Sequence, residues 1–287
     1  MNKLNTIQKA SIQALANGFR EDVGLSEFEP FPEAVKMIRD AGYEYSETSF
    51  IDNTCSGFTQ AVNGNARFEI GYNLDHNFGD PYKRFTLCHE LGHVNIPRHT
   101  QILTSSPHYS KPEFQTDDLI ELEADYFSIC LLAPKVAFQN KIANMEFKLV
   151  DLQIIANHFG ISMYAAALRF IELTDLNCSL IVSDTTGKIK YESRSKAMSE
   201  FLPSRFLFRQ NLNNQTLTYR SIMKNIQMPE TTIGLANWYP GISSSVETTE
   251  SVLFLKYNNT VLTFLNPLTD DFEEEIDRED DKFFRRS

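Results

Sequence analysis

The spacing of apolar positions predicts a helical start to the chain. Between residues 7 and 19, the side chains of one helical face recur every fourth residue, which gives a moderately amphipathic helix. A second helix is expected after Pro32, which suits a first helical turn, and it should end at Gly42. The fold therefore begins with two helices.

Two apolar runs that follow these helices predict a β-hairpin. The runs cover residues 57–62 and 66–72, and Asn63 and Gly64 between them favour the positive φ angles of a type I′ turn. A small antiparallel sheet is thus expected. The strand that ends near Tyr72 could pair with an extended peptide through main-chain hydrogen bonds, or it could simply pack inside the sheet.

Helical periodicity returns in the next part of the chain. One helix is predicted over residues 82–96, where a proline follows, and a polar loop is predicted over 98–116. Asp117 or Asp118 can cap a second helix that runs through residues 119–131. The candidate chemistry falls on these two helices.

The segment over residues 148–173 has the spacing of a helix-turn-helix. A helix, a turn at Gly160 and a second helix with Ser162 as its cap are predicted there. Lys148 and Arg169 are nearly its only cations. Internal packing or docking of a repressor is therefore favoured over contact with DNA.

Beyond residue 175 the sequence changes to short runs of β-forming residues. These runs cover residues 178–182, 251–257 and 261–265. The pattern predicts an α+β fold in three parts: a mostly helical domain with a small antiparallel sheet over residues 1–147, the helix-turn-helix-like segment over 148–175, and a β-rich C-terminal domain over 176–287. The acidic run over 270–281 indicates a solvated helix face or a frayed tail.

Composition and charge narrow the possible classes of function. Hydrophobic residues make up 42% of the 287 positions, enough for two cores, and no apolar run approaches the roughly 18 residues of a membrane span. The four cysteines form no C-x-x-C pair, which favours a reducing compartment. The net charge of −11 repels nucleic-acid backbones. We expect a cytoplasmic protein that binds neither membranes nor nucleic acids directly.

The sequence His89-Glu90-Leu91-Gly92-His93 lies on the first of the two chemistry-bearing helices. Histidines at positions i and i+4 project from one helical face, so His89 and His93 can bind one Zn²⁺ ion. Glu90 lies about 100° around the helix from His89, where its carboxylate can act as a general base and then as the acid that protonates the leaving amine. The motif predicts a zinc metalloendopeptidase.

A catalytic zinc site of this kind needs a third protein ligand, and two residues compete for that role. Glu121 lies on the second helix, and Asp125 on the same face could accept the ring N–H of a ligand histidine. His99 is the alternative by its spacing, but Ile96 stands where that type of site needs a glycine. Glu121 is preferred. Glu123 points about 200° away from Glu121 and is expected to be a solvated carboxylate.

Other side chains have weaker grounds for a role in the site. Tyr82 or Tyr126 could donate a hydrogen bond to the oxyanion, although core packing explains Tyr126 equally well. The remaining histidines have no partner that is recognisable in the sequence, and we leave them out of the site: His76, His108 and His158. The predicted site has one catalytic residue and three metal ligands: Glu90, and His89, His93 and Glu121.

Three segments, taken in their order along the chain, resemble motifs of the ImmA/IrrE family of metallopeptidases. They are RFTLCHELGH over residues 84–93, the E-x-x-A-D-x-F pattern over 121–127 and LLAP over 131–134. The resemblance covers roughly residues 34–173 and fades in the C-terminal part, which is only loosely similar to a GAF-like sensory module. It implies that His89, His93 and Glu121 bind zinc and that Glu90 is catalytic.

The resemblance also implies a biological role. Members of the family cleave a helix-turn-helix repressor and thereby derepress phage, mobile-element or stress-response genes, so the expected partner is a protein substrate of that kind. An alternative is a non-catalytic regulator that keeps the fold but binds and sequesters its repressor. A third and weaker reading is a DNA-binding regulator that uses the helix-turn-helix-like segment.

Overall fold

A computed structural model describes the chain over residues 4–50, 55–62, 67–76, 78–110, 118–143, 145, 148–202, 207, 210–255 and 259–268. The chain divides into two compact units. The first comprises Met1–Asn144 and Gln153–Ala166, and the second comprises Met145–Leu152 and Ala167–Ser287. The finer boundaries expected at residues 147 and 175 stay predictions. The acidic run over 270–281 lies outside the described residues.

The fold is mixed α and β, as predicted. The helices are α1 (Thr6–Asp22), α2 (Ala34–Asp40), α3 (Asp80–Asn95), α4 (Pro97–Leu103), α5 (Leu119–Leu132), α6 (Lys135–Ile142), α7 (Leu149–Phe159), α8 (Met163–Leu173), α9 (Lys196–Phe201) and α10 (Leu217–Lys224). The strands are β1 (Glu44–Thr48), β2 (Gly57–Val62), β3 (Arg67–Asn73), β4 (His108–Ser110), β5 (Ser179–Asp184), β6 (Ile189–Arg194), β7 (Thr231–Gly234), β8 (Glu247–Leu255) and β9 (Thr260–Pro267).

Local sequence signals explain where the main helices of the first unit begin. Asn5 caps α1 in a capping box with Gln8, each side chain accepting a hydrogen bond from the other residue's backbone N–H. α3 begins after Gly79, whose φ of 92° favours glycine, and it has Pro81 in its first turn. Asp118, one of the two predicted caps, accepts a hydrogen bond from the backbone N–H of Ile120 at the start of α5.

The sheet of the first unit has the strand order β1-β3-β2-β4. The predicted hairpin is confirmed, because β2 and β3 are antiparallel with Val62 opposite Arg67, although the turn at Asn63 and Gly64 lies outside the described residues. The sheet is mixed rather than purely antiparallel, because β1 runs parallel to β3. The strand that ends near Tyr72 is therefore internal, and it cannot present a free edge to a peptide.

The prediction of a polar loop over residues 98–116 is wrong for two stretches, which form α4 and β4. Pro97 follows the end of α3 as expected, but it also opens α4, because proline with its fixed φ suits the first turn of a helix as well as the end of the preceding one. β4 then pairs antiparallel with β2, with Gly57 opposite Ser110 and Thr59 opposite His108. This three-residue strand is too short to give a recognisable alternation of apolar and polar positions.

The core of the first unit forms where α3, α5 and α1 pack together. α3 packs against both α5 and the sheet, and Phe19 of α1 meets Phe127 of α5 edge to face. The buried guanidinium of Arg20 donates a hydrogen bond to the carbonyl of Leu131 at 2.8 Å. These contacts fix α5 relative to α3, and the candidate site lies on those two helices.

The predicted helix-turn-helix-like segment is found in α7 and α8. The turn has Gly160 at a φ of 62°, and Ser162 accepts a hydrogen bond from the backbone N–H of Ala165 at the start of α8. Arg84 of α3 donates a hydrogen bond to the carbonyl of Gly160 at 3.2 Å. Within the described residues, no single helix is long and apolar enough to cross a membrane, and α7 with α8 reaches that length only as a pair bent by 103°.

The second unit contains the β-rich region that the sequence predicts. Its five-stranded sheet has the order β6-β5-β9-β8-β7, and all of its neighbouring strands are antiparallel. Ile181, Trp238 and Leu265 belong to its apolar core. The similarity of this region to a GAF-like sensory module stays a prediction.

Candidate metal centre

Helix α3 places three functional groups in the interior of the first unit. His89 and His93 are 5% and 1% exposed, and Glu90 is completely buried. The ring nitrogens His89 Nε2 and His93 Nε2 lie only 3.0 Å apart, because residues four positions apart share a helical face. Glu90 leaves this face in another direction, as the sequence predicts.

Helix α5 brings two carboxylates to these histidines. Glu121 Oε2 lies 3.4 Å from His89 Nε2, and Glu121 Oε1 lies 3.6 Å from His93 Nε2. Asp125 Oδ1 lies 2.8 Å from His89 Nδ1, on the far side of the same ring. The structure thus brings together His89, His93 and Glu121, and it places Asp125 where it can orient the first histidine.

Gly92 allows α3 and α5 to approach closely enough for these contacts. A Cβ atom at this position would lie 3.1 Å from the Cα of Ala124 and 3.3 Å from the Cβ of Phe127. Both atoms belong to α5, and Ala124 is itself fully buried. The small residues in this crossing therefore set the distance between the histidines and the carboxylates.

His108 lies with His89, His93 and Glu121, and these four side chains form the metal group. The sequence analysis missed His108. Its Nε2 lies 2.8 Å from Glu121 Oε1, and its ring centroid lies 4.2 Å from that of His93. Sequence reasoning left His108 out because its place depends on the pairing of β4 with β2, which no local pattern reveals.

His99, the rival third ligand, does not join this group. It is buried on α4, where its Nε2 lies 3.1 Å from Glu123 Oε2. The expectation that Glu123 is solvated was also wrong, because it is only 4% exposed and Arg98 forms an ion pair with it. A carboxylate that points away from the metal group can still be buried when a neighbouring helix supplies its partners.

The four side chains His89, His93, His108 and Glu121 fit a metal ion. Each offers one ligand atom, and these atoms all lie within 4.8 Å of one another. Ligands about 2.0–2.1 Å from one tetrahedral ion are about 3.3 Å apart, close to the spacings of 3.0, 3.4 and 3.6 Å among His89, His93 and Glu121. Imidazole nitrogens together with a carboxylate oxygen are a common donor set for divalent transition metals.

The protonation of the group follows from burial and mutual contacts. Burial lowers the pKa of His93 well below its usual value, and the charges of His89 and His108 add to this. Burial acts in the same direction on His89, but its hydrogen bonds with Asp125 and Glu121 outweigh burial and raise its pKa well above the usual value. For Glu121, burial opposes ionisation, but its contacts with His108 and His89 lower its pKa far below the usual range. At neutral pH, Glu121 is negatively charged and His93 is neutral. His89 is then positively charged, with a proton on both ring nitrogens.

We expect metal binding at pH 7 to release about one proton, because the metal must displace the Nε2 proton of His89. Asp125→Asn removes the charge that raises the pKa of His89, so the variant should release fewer protons and bind zinc about 10–100-fold more weakly. Calorimetric titration in two buffers of different ionisation enthalpy measures both quantities. Asp40→Asn, which alters an exposed pair with Lys36, is the control and should behave as wild type. Equal proton release by wild type and Asp125→Asn would contradict this account.

Glu90 lies in a separate, tightly built niche beside the metal group. Thr59 Oγ1 on β2 donates a hydrogen bond to Glu90 Oε2 at 2.6 Å. Burial raises the pKa of Glu90, whereas the charge of His89, the proximity of Ser110 and the hydrogen bond from Thr59 oppose that rise. A buried carboxyl group with a raised pKa is suited both to accept and to return a proton.

The backbone of Gly57 forms one wall of this niche. A Cβ atom there would lie 2.9 Å from Glu90 Oε1 and 2.7 Å from the Cγ2 of Thr86. Real Cβ atoms do not approach other atoms so closely, so either the strand or the carboxylate must move if this atom is added. Glycine is thus required by the close approach of β2 to α3.

Gly57→Ala should lower peptide-bond cleavage by about 10–100-fold without loss of zinc, because small displacements of a catalytic group are costly. Overpacking should also destabilise the protein by about 1–3 kcal/mol. Cleavage rate, zinc content and thermal unfolding measure these effects. Gly18→Ala in α1 is the control, because nothing lies within 4 Å of its new Cβ. Wild-type cleavage by Gly57→Ala would show that the niche does not position Glu90.

The two predicted oxyanion donors contact different parts of the first unit. Tyr126 lies beneath the ammonium group of Lys9, 4.9 Å from its ring centroid, and so contacts α1. Burial raises the pKa of Tyr82, and hydrogen bonds with Ser56 and Thr86 oppose the rise. Those contacts place Tyr82 beside the start of β2. Which residue stabilises the oxyanion stays a prediction.

Comparison with known proteins agrees with this description. Residues 73–170 match the peptidase M78 family, described as the IrrE N-terminal-like domain. The fold is similar to that of a Mycobacterium tuberculosis transcriptional regulator, with a TM-score of 0.56 and 11% sequence identity over 91% of this chain and 89% of that chain. No curated protein matches the sequence. The part of the chain that carries His89, Glu90, His93 and Glu121 is therefore similar to the IrrE N-terminal-like domain, as the three resembling segments predict.

Proposed function

We propose that the protein is a zinc-dependent endopeptidase that cleaves a helix-turn-helix transcriptional repressor. The observation that carries this proposal is the buried Glu90 carboxylate beside the convergent ligand atoms of His89, His93 and Glu121. This arrangement combines a metal group with a proton acceptor, which hydrolysis of a peptide bond requires. The match of residues 73–170 to a peptidase family supports the same reaction class.

The residues have distinct roles in this proposal. His89, His93 and Glu121 hold zinc, and Asp125 orients the ring of His89 through its Nδ1–H. A zinc ion held by these residues would supply Lewis acidity, which polarises a scissile carbonyl and makes the attacking water more acidic. Glu90 removes a proton from that water at its free carboxylate oxygen, and then delivers a proton to the nitrogen of the leaving amine.

Thr59 and the sheet backbone keep Glu90 in position for both transfers. The Thr59 hydroxyl binds one carboxylate oxygen and leaves the other for the reaction. Gly57 leaves the space that the carboxylate occupies, because a Cβ atom there would lie 2.9 Å from Glu90 Oε1. Because burial raises the pKa of Glu90, the protonated form is a competent acid once the water has been deprotonated.

The substrate proposed here is a protein segment in extended conformation. β4 is the outer strand of the sheet on the side of the metal group, and it carries His108. An extended peptide that adds to this strand gains main-chain hydrogen bonds next to the metal centre. Tyr109, which is 51% exposed on the same strand, offers apolar surface to such a peptide.

The protein is proposed to act on a regulator rather than on DNA itself. Arg169, one of the few cations of the helix-turn-helix-like segment, is 1% exposed and forms an ion pair with Glu172. The net charge of −11 also disfavours phosphate backbones. The four cysteines are free and buried, which suits the proposed cytoplasmic location. Cleavage of the repressor would derepress phage, mobile-element or stress-response genes.

Incubation of the zinc-loaded protein with the repressor encoded beside its gene tests the proposal. Discrete fragments with one defined cut site, identified by mass spectrometry, are the expected result, and Glu90→Gln should yield none. An intact repressor after incubation with fully zinc-loaded protein would overturn it. Direct contact with DNA is tested separately by a binding assay at low salt, where electrostatic affinity is strongest.

One observation favours the alternative of a non-catalytic regulator. His108 brings a fourth protein donor to the group, and zinc sites closed by four protein ligands are usually structural. A sequestering regulator would bind the intact repressor in a stable complex on size-exclusion chromatography. Glu90→Gln would then retain full derepressing activity in cells, whereas an endopeptidase loses it.

A further inference from the structure

We propose that His108 is a fourth, displaceable metal ligand, which closes the centre in the resting protein and must leave before hydrolysis begins. This inference rests on the proposed function for its second part, the release that permits hydrolysis. Its first part, metal ligation by His108, stands on the geometry of the chain alone. Four protein donors are typical of a closed, structural zinc site, whereas the buried Glu90 is suited to catalysis. A fourth ligand that can leave accounts for both features.

The ligand assignment follows from the position of one nitrogen. His108 Nε2 lies 2.8 Å from Glu121 Oε1, yet neither atom has a hydrogen-bond partner of good geometry in the part of the chain that the structure describes. Two buried polar atoms that approach without hydrogen bonding are expected when both point at a common ion. Metal ligation would satisfy both atoms, which otherwise lose their hydration without compensation.

Three features make His108 the ligand most easily displaced. Its side chain is 26% exposed, compared with 7% for His89 and 1% for His93. It lies on a three-residue strand, whereas the other two histidines share a helix of 16 residues. Asp125 holds the ring of His89 through Nδ1, and no such bond to the ring of His108 is found among the described residues.

The position of β4 connects this ligand to the proposed substrate. His108 is opposite Thr59 in the sheet, and Thr59 binds the catalytic carboxylate. A peptide that adds to the outer edge of β4 contacts the strand that carries His108 and can shift it. Departure of His108 leaves three protein ligands, the number that a catalytic zinc site has.

The variants His108→Ala and His108→Gln test both parts. Each should lower zinc affinity by at least about tenfold in competition with a chromophoric chelator, because an amide is a poor zinc ligand and alanine is none. In the Co²⁺-loaded protein, loss of a nitrogen donor should shift the visible absorption bands. At saturating zinc, both variants should cleave an unstructured model peptide several-fold faster than wild type. Thermal unfolding verifies that each variant is folded, and glutamine keeps the polar side chain if alanine does not fold.

His158→Ala is the matched control, because His158 is exposed on α7 and its loss should change neither affinity, spectrum nor rate. Unchanged zinc affinity and an unchanged cobalt spectrum in both His108 variants would overturn the ligand assignment. Slower cleavage by zinc-saturated variants would overturn the closing role, because His108 would then assist the reaction. The metal measurements need no turnover. Failure of wild type and variants alike to cleave any peptide would therefore count against the proposed function and the closing role, while the affinities and spectra still decide the ligand.

Discussion

Glu90→Gln is expected to reduce cleavage by about 10²–10⁴-fold while zinc remains bound. General acid-base catalysis by one side chain typically accelerates a reaction by about 10²–10⁴-fold, and this variant loses that contribution. Glutamine has nearly the same shape as glutamate and can still accept the hydrogen bond from Thr59, so the niche should survive. Its amide cannot take a proton from water or return one to an amine. Single-turnover cleavage, with zinc content measured on the same sample, separates loss of chemistry from loss of metal.

The control for this prediction is Glu123→Gln, which changes another buried glutamate. Glu123 is 4% exposed on α5 but binds Arg98 and His99 rather than the metal group. The control should keep wild-type zinc content and cleavage, and should lose about 1–3 kcal/mol of stability, because a buried charged partner is removed. If Glu90→Gln cleaved as fast as Glu123→Gln, Glu90 would not be the general base.

The relative placement of the motif side chains could be predicted because it depends on helical periodicity. His89, Glu90 and His93 are consecutive on one helix, so their relative directions follow from 3.6 residues per turn. The same reasoning places Glu121 and Asp125 on one face of α5. Both carboxylates lie beside the histidines in the structure. Gly92 and Ala124, the small residues where α3 crosses α5, allow these two helical faces to approach.

What the sequence could not predict depends on pairing between distant segments. His108 enters the metal group only because a short strand joins the edge of the sheet, 15 positions after the last residue of the motif. Glu123 is buried only because α4 supplies Arg98 and His99. In both cases the decisive interaction is non-local, and neither periodicity nor spacing along the chain contains it.

In the fold, too, the features set by local sequence could be predicted, and those set by pairing of distant segments could not. The caps of α5 and α8 and the hairpin of β2 and β3 rest on local chemistry and agree with prediction. The parallel strand β1 and the position of β4 do not, because strand order in a sheet is a tertiary property. The order matters for the proposed function, since among the described residues it makes β3 internal and places β4, which carries His108, at one edge of the sheet.

Glu121→Ala should abolish stoichiometric zinc binding, whereas His99→Ala should retain it. Loss of Glu121 removes the charged donor that lies within 3.6 Å of both motif histidines, and the effect should exceed the about 10–100-fold cost of losing a residue that only orients a ligand. Loss of His99 removes a partner of Glu123 and should lower thermal stability without changing the metal group. Zinc content after dialysis against a weak chelator, measured with circular dichroism as a test of folding, distinguishes the two variants. The reverse pattern, with zinc lost in His99→Ala and kept in Glu121→Ala, would make His99 the third ligand and would require α4 to rearrange when metal binds.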